Sequence, residues 1–130
     1  MKTKHKLALA VLAGASVGAA GARVIDAQQT KAPPAYLISV ADALLDVPSL
    51  QEYGKKVPDT LAPFDHHIIV RGGKPQALEG DAPQSVVVIA FDSADKAREW
   101  YDSPAYRAIR PIRQGASKGR LFIVEGVSAQ

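Results

Sequence analysis

At 130 residues with no cysteine, the chain has room for one small domain and no disulfide framework. Its formal charge of +3 is unevenly placed: up to Ala32, Lys2, Lys4, Lys6, Arg23 and Lys31 stand against Asp26 alone, so the remainder carries a net −1. A nucleic-acid surface needs clustered, uncompensated Lys and Arg, and this composition excludes that class of partner.

The opening stretch "MKTKHKLALAVLAGASVGAAGA" joins a basic start to an uncharged run from Leu7 to Ala22 that ends in Ala20-Gly21-Ala22, a small-x-small cleavage pattern. This layout predicts a secretory signal peptide over residues 1–22 and a secreted or periplasmic protein. Without a twin-arginine pair, the general secretory route is expected. The apolar run is short for a membrane span, which takes roughly 20 residues, so membrane contact is expected only through an uncleaved leader. Residues 23–34, ending in "QQTKAPP", are polar and Pro-rich and read as a flexible tether. The fold is expected over 35–127, with 128–130 as a tail. A domain this small buries a modest fraction of its surface, so association is one way to complete its core.

Ala35 to Ala41, "AYLISVA", is short and rich in strand formers, and predicts the first strand. Asp46 or Ser49 then caps a helix; Ser49 to Glu52 has capping-box spacing, and Leu50, Tyr53, Val57 and Leu61 recur at helical intervals. Pro58 is expected to interrupt or kink that helix. His66 to Arg71 predicts the second strand, closed by Gly72-Gly73, with Pro75 to Glu79 as an edge-like continuation. Ser85 to Phe91, "SVVVIAF", is the strongest strand. Asp92 or Ser93 caps the next helix, and Ser103-Pro104 restarts it, with Ser as cap and Pro in the first turn. Leu121 to Glu125 is the last strand. The order βαββαβ predicts an α+β, ferredoxin-like fold: a four-stranded antiparallel sheet with its helices on one face.

In "SVVVIAF" both alternating sets are apolar: Val86, Val88 and Ala90 on one side, Val87, Ile89 and Phe91 on the other. A sheet covered on one face alternates apolar with polar residues. The second face is therefore expected to pack on another copy of itself, in a two-fold homodimer.

Ile69 to Gly73, Leu78-Glu79-Gly80, Val87 to Ser93, Ala97 with Trp100 to Tyr106, and Arg110 to Arg113 together resemble the family called domain of unknown function 1330 (DUF1330), from about Tyr36 to Gly126. The resemblance implies a ferredoxin-like fold in the dimeric α/β-barrel superfamily, with two sheets closing face to face. Members with an exported leader are common. Small cofactor-free monooxygenases, muconolactone-isomerase-like enzymes and dye-decolourising or haem-binding proteins are similar in fold only, and fold does not imply function. No catalytic residue carries over. Asp65, His66 and His67 depart from the family, which usually has two glycines and a basic residue there.

Adjacent histidines on a strand point to opposite faces, so His66 and His67 cannot share one metal, and no other ligand cluster or cofactor motif is present. Regular alternation places His67 with Ile69 and Arg71, and His66 with Ile68 and Val70. Tyr106, Arg110 and Arg113 fall at i, i+4 and i+7, a candidate anion clamp; the plainer and favoured reading pairs Arg110 and Arg113 with surface acids such as Asp102 or Glu99. Arg71 and Glu79 are candidates for a surface pair. Three functions remain. The first is a binding module for a small, anionic organic ligand, held by Tyr53, Arg71, Trp100, Tyr106 and Arg113 between sheet and helices. The second is a cofactor-free isomerase or monooxygenase with His66 or His67 as base. The third is a structural or assembly module whose aromatics are core or dimer contacts.

Overall fold

The computed structural model describes residues 32–128; the expected signal peptide and most of the tether lie outside them. Strand β1 spans Ala35–Leu44, helix α1 Val47–Leu61, β2 His66–Arg71, β3 Ser85–Phe91, α2 Ala94–Asp102, α3 Pro104–Ala116 and β4 Ser117–Glu125. The strands form one sheet in the order β2-β3-β1-β4, every neighbouring pair antiparallel. This is the ferredoxin-like arrangement, with the second helical segment broken in two at Ser103.

Local chemistry accounts for the helix ends. Asp46, not Ser49, caps α1: its carboxylate accepts the Ser49 N–H at 3.1 Å and the Ser49 hydroxyl at 2.7 Å. Those two bonds hold the Asp46 carboxyl below its usual range. Glu52 turns instead to Lys55, at 3.4 Å. Ser93 caps α2 and Ser103 caps α3, the latter with Pro104 in the first turn. Pro58 does not end α1, which continues to Leu61 and closes with the Ala62 N–H on the Pro58 carbonyl. A proline ring crowds the carbonyl four residues back, and here that residue is Gly54. The expected strand over Pro75 to Glu79 is absent; beyond Gly72, at φ +60°, the chain leaves the sheet and Leu78 is 96% exposed.

Two bulges interrupt the ladder. In β2 the register passes from Ile68↔Ile89 to Val70↔Val88, leaving Ile69 as the extra residue. In β1 it passes from Ala41↔Gly119 to Ala43↔Lys118, leaving Asp42 to meet Arg120 at 3.4 Å. Gly119 has no alternative here, because a Cβ would lie 1.8 Å from the Val40 carbonyl oxygen.

All three helices pack on one face. Leu37, Ile89 and Phe91 from the sheet meet Leu61, Ala97, Trp100, Tyr106 and Ile109 in the core. Trp100 stacks on Tyr106 with centroids 4.0 Å apart and lies 6.0 Å from Phe91. Its indole N–H donates to Thr60 Oγ1 at 3.0 Å, and that hydroxyl donates to the Val57 carbonyl at 2.7 Å, so α2 is tied to the end of α1. The opposite face presents cross-strand rows His67–Ala90–Tyr36–Val124 and Val70–Val88–Ile38–Phe122. No helix among the described residues covers them, and Phe122 and Val124 are 41% and 45% exposed.

Candidate functional site

Between the sheet and the helices lies a cavity of about 150 Å³. Its floor is two cross-strand rows, Arg71–Val87–Ser39–Leu121 and Ile68–Ile89–Leu37. Tyr53, Gly54, Val57 and Pro58 of α1 form its roof, with Trp100 of α2 and Arg113 of α3.

The β2 bulge decides where Arg71 points. Regular alternation from Ile68 would put Val70 on the cavity side and Arg71 on the far face with His67. The extra residue reverses that parity, so Arg71 pairs with Val87 and lines the cavity. The sequence expectation for Arg71 is corrected accordingly. Its expected partner Glu79 is exposed in the loop, and the pair does not form.

Tyr106 is fully buried and stands one layer behind the cavity wall. The Arg113 Nε–H donates to its hydroxyl at 3.2 Å, and the hydroxyls of Tyr106 and Tyr53 lie 2.8 Å apart. Burial, reinforced by Tyr106, pushes the Tyr53 phenol far above its ordinary value, against a smaller opposing effect from Arg113, so Tyr53 stays protonated. Arg110 does not join this group. Its guanidinium lies 4.5 Å from the centre of the Tyr101 ring, a cation–π contact, while Glu99 pairs with Lys96 at 3.1 Å. Ion pairs among the described residues involve Lys55, Lys96 and Arg120; neither Arg71 nor Arg113 has a carboxylate within 4.0 Å.

The histidines stand elsewhere. His66 is half-buried and its Nδ1–H donates to the Phe64 carbonyl at 2.7 Å; His67 is exposed in a row of the open face. Neither lines the cavity. Among the described residues, no three His, Asp or Glu converge as metal ligands. Of the residues expected to hold a ligand, Tyr53, Arg71, Trp100 and Arg113 line one cavity, and Tyr106 braces two of them. Ser39 was not singled out from the sequence, yet it left a signal: it is the polar member of the otherwise apolar set Ala35, Leu37, Ser39.

Over residues 34–127 the chain matches the family Domain of unknown function (DUF1330). The protein belongs to that family. No curated protein matches it. Among solved structures it is similar to RPA0582, a protein of unknown function from Rhodopseudomonas palustris, with 15% identity, TM-score 0.62, and coverage of 78% of this chain and 88% of that one. It is also similar to SnoaB, a cofactor-independent oxygenase from Streptomyces nogalater, with 9% identity, TM-score 0.53, and coverage of 75% and 97%. A dimeric ferredoxin-like protein of unknown function from Thermobifida fusca matches with 14% identity, TM-score 0.52, and coverage of 75% and 95%. At these identities the likeness establishes the fold of this DUF1330 protein and leaves its chemistry to its own residues.

Proposed function

We propose that this DUF1330 protein is an exported homodimer that binds a small organic anion between its sheet and its helices. The observation that carries the reading is the cavity lining: apolar walls, two guanidiniums without carboxylate partners, and no acidic residue. Such a cavity is completed by a ligand with an apolar body and a negative head. Pairing is supported by the open face, whose apolar rows match what a two-fold interface buries, and by the dimeric state of the Thermobifida fusca protein of the same fold. Export is supported by the leader sequence. SnoaB carries out cofactor-independent oxygenation on this fold. A base-catalysed reaction of that kind has less support here, because the cavity lining holds no histidine and no carboxylate to serve as base.

Native mass spectrometry of the protein purified from its export compartment tests both halves. The expected result is a dimer carrying a small-molecule adduct. A monomer mass would overturn the pairing. A clean dimer that also fails to take up benzoate would overturn the binding.

A further inference from the structure

We infer that Arg113, Tyr106 and Tyr53 form a one-way chain of hydrogen bonds that aims the Tyr53 hydroxyl into the cavity as a donor, so that the site selects a carboxylate carried on a single ring. The inference rests on the binding reading above and adds the chemistry of the ligand.

The direction of the chain follows from what each group can do. A guanidinium Nε–H only donates, so the Tyr106 oxygen accepts from Arg113. Tyr106 is 0% exposed, and its own proton must find an acceptor inside the protein. The Tyr53 oxygen, at 2.8 Å, is the remaining partner of that hydroxyl. Were Tyr53 the donor, the Tyr106 oxygen would receive two protons while its own stayed buried without a partner. Tyr106 therefore donates, Tyr53 accepts, and the Tyr53 O–H turns to the cavity that its side chain lines.

Arg113 is then engaged through Nε alone, which leaves its Nη pair as an end-on fork, the geometry that two carboxylate oxygens match. Arg71 adds a second cation in the row that holds Ser39. Charged donors thus dominate the polar lining, and an ammonium head would meet like charge. At about 150 Å³ the cavity is the size of one that holds a benzene ring, and Leu37, Ile68, Ile89 and Trp100 supply the apolar walls. One main-chain acceptor runs against this trend: Gly54 lines the wall and its carbonyl loses a helical donor to Pro58. An amine probe is therefore a fair opponent.

NMR titration of the full mature protein with benzoate, benzylamine and toluene decides it. Benzoate is expected to bind at least about tenfold more tightly than either other probe, the scale of a charged hydrogen bond. In Tyr106→Phe, which touches no ligand, benzoate should weaken about tenfold while toluene is unchanged; this ratio separates positioning from a general loss of structure. Benzylamine or toluene binding as well as benzoate overturns the inference and leaves the binding reading standing. Tyr106→Phe weakening both probes equally, or neither, overturns the chain. Failure of all three probes with the wild-type protein overturns the inference and the binding reading together.

Discussion

On the covered face of the sheet, Leu37, Ile89 and Phe91 meet three helices and are at most 3% exposed. On the open face, their strand neighbours Ile38, Val88 and Phe122 form an equally apolar row, yet Phe122 remains 41% exposed. The difference lies in who supplies the cover. One face is finished by the helices of its own chain, which leave a cavity at the Arg71 and Arg113 end; the other is finished, in our proposal, by a second copy. Fold stability and ligand chemistry then belong to one face and association to the other, so each can be broken alone.

The largest effect is expected on the covered face. Trp100→Ala removes the ring between Phe91 and Tyr106 together with the bond to Thr60, and should destabilise the fold by about 3–5 kcal/mol in chemical denaturation. On the open face, Val88→Asp sets a charge in the middle of the row Val70–Val88–Ile38–Phe122. Sedimentation should show the dimer dissociation constant raised at least about a hundredfold, ~2.7 kcal/mol, with the helical core intact. A Val88→Asp protein that stays fully dimeric at low concentration would remove the open face from the proposed interface.

A sharper test removes one charge from the cavity and leaves the open face as it is. Arg71→Ala takes one guanidinium from the cavity row Arg71–Val87–Ser39–Leu121 and changes no residue of the open rows. Benzoate binding should weaken by roughly 1 kcal/mol, since Arg71 is an exposed member of the site, while the dimer dissociation constant keeps its wild-type value. Unchanged binding would show that Arg71 contributes nothing from the cavity rim.

The main elements and the helix starts were legible because they are set locally, whereas β1 runs on to Leu44 and β4 begins at Ser117, outside the expected Ala35–Ala41 and Leu121–Glu125. Ser103 followed by Pro104 marks a helix start by its own chemistry, and the two-sided apolar pattern of "SVVVIAF" shows that both faces want cover. What the sequence hid depends on partners far along the chain. Nothing within "HHIIVR" says which residue β3 will leave unpaired, so the side taken by Arg71 could not be read from alternation. Spacing groups Arg110 with Tyr106 and Arg113, but i+7 returns to within about 20° of the start on one flank while i+4 lies about 40° past it on the other. Arg110 accordingly meets Tyr101, and Arg113 meets Tyr106. Pro58 inside α1 and Pro111 inside α3 both pass without ending their helices, because packing against the rest of the fold overrides a local rule against proline in helices.

The smallest effect is a pH dependence confined to the covered face. Burial raises the Tyr53 phenol above its unfolded value, so folding holds a proton that the unfolded chain releases. Its contribution is complete below the ordinary phenol pKa near 10 and is lost as pH rises above it, because the unfolded state then ionises while the native state does not. Over the first pH unit above 10 the loss is about 1 kcal/mol from this residue. Denaturation at pH 9 and pH 11 should therefore show a steeper decline for the wild-type protein than for Tyr53→Phe, while Val88→Asp, altered only on the open face, keeps the wild-type slope. Equal slopes for wild type and Tyr53→Phe would mean that the phenol titrates alike in both states and is not held in the bonded, desolvated position that the donor chain requires.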